Sequence, residues 1–168
     1  NWVRCSQAQT LASSMESGEY TSSLMFGVQW DLVLKYLETK GVSQSDLKTD
    51  STEWGNYSNN TYNITNTSAK YCLDTWTSAP FEKTTEQSAF LTTGASSTFS
   101  KQNIFDLAGN VWEWTLEYTF DDGWGDPSPC AGRGGCFIDQ GNNYIASFRG
   151  HYSAIISCPT FGFRPTIY

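Results

Sequence analysis

Apolar positions along the chain are periodic in one place and isolated almost everywhere else. Between residues 28 and 37 they fall at Trp30, Val33, Leu34 and Leu37, the spacing of a single helix face, and Gly41 follows as a C-terminal stop. Gly27 stands where such a helix would begin, and Asp31 and Lys35, four apart on the outer side, are spaced for an ion pair. Residues 48–67 are rich in Ser, Thr and Asn, with Trp54, Tyr57 and Tyr62 as lone apolar anchors, which predicts a long loop or short hairpins. Residues 84–100 predict a second exposed loop. After residue 100, short apolar runs between glycines (Ile104-Phe105, Val111-Trp112, Gly132 to Gly135, and residues 161–167) predict strands and tight turns. There is no repeat and no heptad. The expected class is α+β, one domain over residues 1–168, with helix early, strands late and much irregular loop.

Composition narrows the partners. A chain of 168 residues with 15% aromatic and 16% charged residues can bury a core, which excludes overall disorder. The net charge of −7, with ten Lys and Arg thinly spread, excludes the basic stripe that nucleic acid requires. No apolar run approaches the roughly 18 residues of a membrane span, so no direct insertion is expected, and no signal-peptide pattern is present. The chain opens on Asn1-Trp2-Val3 without a methionine, which reads as part of a longer protein or assembly. Asn56, Asn59, Asn63 and Asn66 each head an N-x-S/T triplet, read as turn chemistry in a polar loop and as glycan acceptors only in a eukaryotic secreted protein.

Five cysteines, at 5, 72, 130, 136 and 158, leave at least one unpaired, and none forms a C-x-x-C. A scattered odd set points to reduced thiols rather than to a disulfide framework. The single histidine, His151, removes multi-histidine metal sites and leaves triad chemistry only if it is itself the base. No catalytic residue is assigned.

The most specific string runs Asn103-Ile-Phe-Asp-Leu-Ala-Gly-Asn-Val-Trp-Glu-Trp114. On an extended segment Trp112 and Trp114 face one side and Glu113 the other, while Asp106 and Gly109-Asn110 have the composition of a turn. The string resembles the core motif of the formylglycine-generating enzyme (sulfatase-modifying factor) family, and Arg133-Gly134-Gly135 and Gly162-Phe163-Arg164-Pro165 agree with it in order. The resemblance implies a C-type-lectin-type fold. It also leaves two readings of the motif open: a structural staple of paired tryptophans, or a calcium site. In family enzymes calcium is held around this string, and the matching positions are Asp106, Gly109, Val111 and Glu113, the middle two through carbonyls. No cofactor is otherwise required.

Catalytic members hold copper through two cysteines, five residues apart, after the Arg-Gly-Gly motif. The matching positions here are Asp139 and Tyr144, neither a soft thiolate ligand. The resemblance therefore implies a scaffold without the enzyme's chemistry. The alternative is a formylglycine-generating-type, metal-dependent oxidase acting on protein cysteine, with a metal site rebuilt from Cys136, His151 and Cys158. A calcium-dependent lectin is a third class, for which no carboxylate-pair signature is present.

The tail differs from the rest. Six Lys, eight Glu, two Met and seven Trp all lie in residues 1–135, and none in 136–168. Cys, Phe, Ile, Asp, Asn, Tyr, His, Ser, Thr and Pro fill the tail instead. Randomising the two adenines of an AAC or AAT codon can yield these residues but not Lys, Glu, Gln, Met or Trp. This resembles a variable protein of a diversity-generating retroelement, many of which look like the formylglycine-generating family and end in Gly-Phe-Arg-Pro. The resemblance implies a scaffold over 1–135, a variable ligand-binding region over 136–161, and a closing strand over 162–168.

Expected contact residues are Cys136, Ile138, Asp139, Tyr144, Phe148, His151, Tyr152, Ile156, Cys158, Pro159 and Phe161. Tyr, Phe, Asn and Ser in such a region supply contact area and adaptable hydrogen bonds, as paratopes do. Phe137, Ala146 and Ser147 are read as framework, Ile155 and Ile167 as core, and Arg149 and Arg164 as structural hydrogen-bond donors. The expected ligand is a protein or glycan on a cell or virion surface, met from a phage tail or a bacterial surface.

Overall fold

The computed structural model describes residues 2–16, 18–73, 76–78, 82–83, 87–118 and 130–168. The chain divides into two compact units, each built from discontinuous segments. The first comprises Asn1–Val33, Trp112–Arg133 and Arg149–Tyr168; the second comprises Leu34–Val111 and Gly134–Phe148. The tail beyond the compositional seam is divided between the units: residues 134–148 associate with 34–111, and residues 149–168 with the beginning of the chain.

Among the described residues there are three α-helices: α1 (Cys5–Ser13), α2 (Gly27–Thr39) and α3 (Gln44–Lys48). Helix α2 matches the periodicity, with Trp30, Leu34 and Leu37 buried and Val33 half-buried. Gly41 follows it at φ +91°, the left-handed conformation of a helix stop. The anticipated Asp31–Lys35 pair does not form. Lys35 instead holds Glu38 at 2.9 Å, and Asp31 turns to arginines of the first unit. Helix α1 leaves no periodic signal in the sequence, because it buries only the small residues Cys5, Ala8 and Ala12, too weak an apolar stripe.

In the first unit a four-stranded sheet runs in the order Arg149–His151, Ala131–Arg133, Trp112–Thr115, Phe161–Phe163. The first two junctions are antiparallel and the last is parallel, with Phe161 opposite Trp112 and Phe163 opposite Trp114. Gly132 lies opposite both Gly150 and Trp114. A Cβ on Gly150 would run into the Tyr152 ring, and one on Gly132 would crowd Tyr152 and Phe161 at 3.2 Å. The paired glycines thus leave a slot into which aromatic rings close. Trp114 stacks on Phe161 with centroids 4.3 Å apart, Tyr152 meets Phe161 edge-on at 4.9 Å, and Trp112 meets Tyr152 at 5.3 Å. The Trp114 indole N–H donates to the Val3 carbonyl at 2.8 Å. A two-stranded ladder of Ser22–Leu24 with Pro165–Ile167 completes the unit.

Beside the sheet, buried Arg133 pairs with Asp31 and lies 3.8 Å from Glu117. Arg149 reaches Glu117 at 2.5 Å and Asp31 at 3.6 Å. Two guanidinium groups and two carboxylates thus neutralise each other, which offsets the cost of burying Arg133. Arg164 grips Glu113 with two bonds of 2.9 and 2.8 Å. Both arginines are structural donors, as the sequence suggested.

The second unit is loop-rich. Its small core gathers Tyr62, Ile64, Ala69, Leu91, Ala95 and Phe99, with Tyr71 against it. The Ser100–Lys101 and Ile104–Phe105 strands form a hairpin whose two turn residues, Gln102 and Asn103, both take positive φ. Residues 51–64 are not the surface loop that their polarity suggested: Ser51, Trp54, Asn56, Tyr57, Asn60, Tyr62 and Ile64 are all buried. Nor is the 84–100 stretch simply exposed, since Ala89, Leu91, Ala95, Ser96 and Phe99 are buried; residues 84–86 lie outside the described residues. Of the four N-x-S/T asparagines, Asn56 is buried with its amide fully engaged, while Asn63 and Asn66 are exposed.

Against the preference for reduced thiols, Cys5 and Cys130 form a disulfide, with Cα atoms 6.2 Å apart. It ties the start of α1 to the residue preceding the Ala131–Arg133 strand, a proximity created by folding and invisible to sequence spacing. Cys72, Cys136 and Cys158 remain free. Crosslinking residues 125 apart removes a large loop from the unfolded chain, worth on the order of 4–5 kcal/mol. Cys130→Ser, or reduction of the wild type, is expected to lower the melting temperature by roughly 10 °C in a calorimetric scan. An unchanged transition would contradict the crosslink.

Candidate ligand-binding site

The site begins at a turn. Gly109 and Asn110 take φ of +69° and +61°, and Asn110 points its amide into the core of the second unit. Asn56 donates from Nδ2 to the Asn110 Oδ1 at 2.9 Å and to the Ala89 carbonyl at 2.8 Å, and accepts from the Tyr62 hydroxyl at 2.8 Å. Asn110 in turn accepts from the Leu91 N–H and donates to the Leu91 carbonyl, both at 3.1 Å. Both amide side chains are thus satisfied by neighbours within the core.

From this node the turn fixes where the tail segment starts. The Gly109 N–H donates to the Gly134 carbonyl at 2.8 Å, and the Phe137 N–H to the Asn110 carbonyl at 3.0 Å. Residues 51–59 then hold residues 134–148 along their length. The Ser51 N–H donates to the Gly141 carbonyl, and the Ser58 N–H and hydroxyl both donate to the Asp139 carbonyl. The Gly141 N–H donates to Asn59 Oδ1, and the Ala146 N–H to the Ser51 hydroxyl. The buried Tyr57 hydroxyl sits between the carbonyls of Gly134 and Tyr144, at 2.8 and 2.7 Å. On the tail side, every group in these bonds is main chain. Side-chain identity at the outward positions is therefore not part of the anchorage.

The eleven anticipated contact residues fall in both units. In the second unit Ile138 is exposed, and Asp139, Tyr144 and Phe148 are half-buried. The Asp139 carboxylate accepts from the Cys136 N–H at 2.9 Å and from its thiol at 3.1 Å, and Tyr144 packs edge-on against Phe148 at 5.0 Å. Cys136 is a correction: at 1% exposure it lies inside the unit and is not presented to a ligand. In the first unit His151 is exposed, and Tyr152, Ile156, Cys158 and Pro159 are half-buried. Phe161 is a second correction, 3% exposed beneath Trp114 because its strand joins the sheet in parallel with Trp112–Thr115.

Ile155, expected in the core, is 74% exposed, and Ile167 is also exposed. Asn142 and Asn143 stand exposed near Ile138 and were not singled out from sequence. The signal was present: asparagine belongs to the residue set that fills the tail.

The metal readings meet specific obstacles. Both carboxylate oxygens of Glu113 are occupied by the Arg164 guanidinium, and a cation would have to displace it. Asp106 Oδ2 accepts from the Gly94 N–H at 2.7 Å. Among the described residues no group of three or more His, Cys, Asp or Glu could hold a metal. As arranged, Glu113 offers a calcium ion no oxygen that Arg164 does not already hold. Copper fares no better at Asp139 and Tyr144, the first spent on Cys136 and the second presenting only a phenol.

This is a mixed α+β scaffold with few helices, small sheets and much loop, carrying a tail segment gripped through its backbone. The chain belongs to the sulfatase-modifying factor enzyme 1-like domain family, whose model matches residues 18–167. The fold expected from the resemblance is thereby met. The solved structure of Treponema denticola variable protein 1 is similar, with 17% identity and a TM-score of 0.48 over 89% of this chain and 49% of that one. This chain thus spans about half the length of that protein. A comparison with curated proteins finds no match.

Burial, with the Asp139 carboxylate beside it, pushes the Cys136 thiol well above the ordinary cysteine range, so it stays protonated at pH 8. Titrating the folded protein with a disulfide reagent at that pH should modify Cys72 and Cys158 and spare Cys136 until denaturant is added. Immediate reaction of all three thiols would contradict the placement. Phe161→Ala is expected to cost about 3–5 kcal/mol in chemical denaturation, the loss of a fully packed ring; a cost below about 1 kcal/mol would return Phe161 to the surface.

Proposed function

We propose that this domain is a non-enzymatic binding module, the variable protein of a diversity-generating retroelement, whose tail carries diversified ligand contacts on a C-type-lectin-type scaffold. One observation carries the reading: residues 134–148 are anchored through main-chain atoms, in the same tail whose composition matches adenine-randomised codons. A segment held that way can change its outward side chains without losing its place. Ile138, Asn142 and Asn143 in the second unit, and His151 and Ile155 in the first, are the outward positions that support it.

The oxidase alternative would need a copper-binding thiolate pair. The family positions carry Asp139 and Tyr144, and the nearby Cys136 is a buried, protonated thiol. The expected target is a protein or glycan on a cell or virion surface, and the domain's place a phage tail or bacterial surface. A disulfide, which persists in oxidising surroundings, supports such an address. Among the described residues no helix is long and apolar enough to cross a membrane.

The test is to sequence the 3′ end of the coding region across many clones of the source population, together with its genomic neighbourhood. The expected result is substitution concentrated at adenine-derived positions between codons 136 and 161, beside a near-copy of that stretch and a reverse-transcriptase gene. An invariant tail with neither neighbour overturns the reading.

A further inference from the structure

Residues ahead of the first strand frame a cleft of about 450 Å³. Helix α1 turns Cys5, Ala8 and Ala12 inward, while Ser6, Gln7, Thr10 and Leu11 line the cleft together with Trp2 and Val3. All six lie in the first unit, and none belongs to the motifs that carry the family resemblance. Trp2 is the unusual member. Its backbone sits at φ +62°, a left-handed conformation that strains a bulky residue, yet its ring is 61% exposed, so ring packing does not offset the strain. Hydrogen bonds to the main chain hold it instead. The Trp2 N–H donates to the Cys158 carbonyl at 3.2 Å, the Ser157 hydroxyl donates to the Trp2 carbonyl at 2.8 Å, and the Trp114 indole N–H holds the next carbonyl, that of Val3. The fold thus fixes one indole in place with its ring in water.

The lining defines what fits. The volume falls within the range of small-ligand pockets, roughly 300–1,000 Å³. None of the six residues is charged, so the cleft offers no counter-charge to an ionic ligand. A wholly apolar ligand would leave Ser6, Gln7 and Thr10 facing it without partners. The Gln7 side-chain oxygen accepts from the Arg4 N–H at 3.0 Å, which orients the amide and leaves its NH₂ group as a donor. The Thr10 hydroxyl donates to the Ser6 carbonyl at 3.0 Å, which leaves its oxygen as an acceptor. Trp2 and Leu11 supply apolar surface beside these groups. An uncharged ring with an apolar C–H face and hydroxyls along its edge satisfies both parts of this lining, and a neutral pyranose has that form.

We propose that this cleft is a fixed, calcium-independent subsite for one neutral saccharide unit, with Trp2 as the stacking platform and Gln7 and Thr10 as hydrogen-bonding partners. It differs from a calcium-held sugar site because no carboxylate lines it. The inference does not require the diversified-tail reading. If both hold, the bonds from Trp2 to Ser157 and Cys158 set the bound sugar at the margin of the tail, where a constant contact adjoins variable ones.

Saturation-transfer NMR tests it, with the methyl glycosides of glucose, galactose, mannose and N-acetylglucosamine each at about 5 mM, a concentration suited to weak single-site binding. At least one glycoside should receive saturation, strongest at its ring C–H face, and the signal should persist in EDTA. Trp2→Gly relieves the left-handed strain, so it should abolish binding while the melting temperature holds or rises. Thr10→Val removes one hydrogen-bonding group and should weaken binding about fivefold to tenfold in a titration. The N-acetyl amides of leucine and phenylalanine should give no signal. Silence from all four glycosides overturns the proposal, as does binding that survives Trp2→Gly, that EDTA abolishes, or that the amino-acid amides reproduce. An invariant coding tail would overturn the diversification reading and leave this one standing.

Discussion

The fold of the second unit turns on two buried amides. Asn56 and Asn110 bond to each other, to Tyr62, and to the main chain at Ala89 and Leu91, so three separate stretches of sequence meet at one polar knot. A buried amide left without partners costs about 1–3 kcal/mol per unmade bond, so the knot holds only if every stretch is in place. That cost makes the arrangement specific where apolar packing alone would tolerate slippage. The same Gly109-Asn110 turn receives Gly134 and Phe137 through its own backbone groups, so the knot also sets the register in which the tail enters.

Conservation of shape and freedom of surface are divided between atom types. The main chain of residues 134–148 bonds to the scaffold, and buried members such as Cys136 and Ala146 fill its inner side. Outward side chains at Ile138, Asn142 and Asn143 take no part in those bonds. In the first unit paired glycines let Tyr152 and Phe161 close over Trp112 and Trp114, while His151 and Ile155 remain outside. A scaffold with this division can carry many tails, which is what a diversified binding protein requires.

Much of this was legible in the sequence, and the failures share a cause. Helix α2, its glycine stop, the Gly109-Asn110 turn and the structural use of Arg149 and Arg164 follow from local pattern or from residue chemistry. The burial of Ser51, Asn56 and Asn60 is not legible because Ser and Asn look like surface residues, and the bonds that hold this stretch to main chain lie 77 to 87 positions away. Composition marks Phe161 as a contact residue because it describes a segment, whereas burial depends on the parallel pairing of its strand. The Cys5–Cys130 bond and the Glu113–Arg164 pair are likewise products of long-range closure. Helix α1 escaped notice because alanines and a cysteine make too faint a stripe.

The central claim is that the tail is anchored by its backbone and left free at its outward side chains. A saturation scan of residues 134–163, with each variant displayed on yeast and scored for folding by protease resistance, tests it most directly. The account predicts near-complete tolerance at Ile138, Asn142, Asn143, His151 and Ile155, and loss of folding for most substitutions at Gly135, Ala146, Gly150 and Phe161. Intolerance at the first group comparable to the second would contradict it.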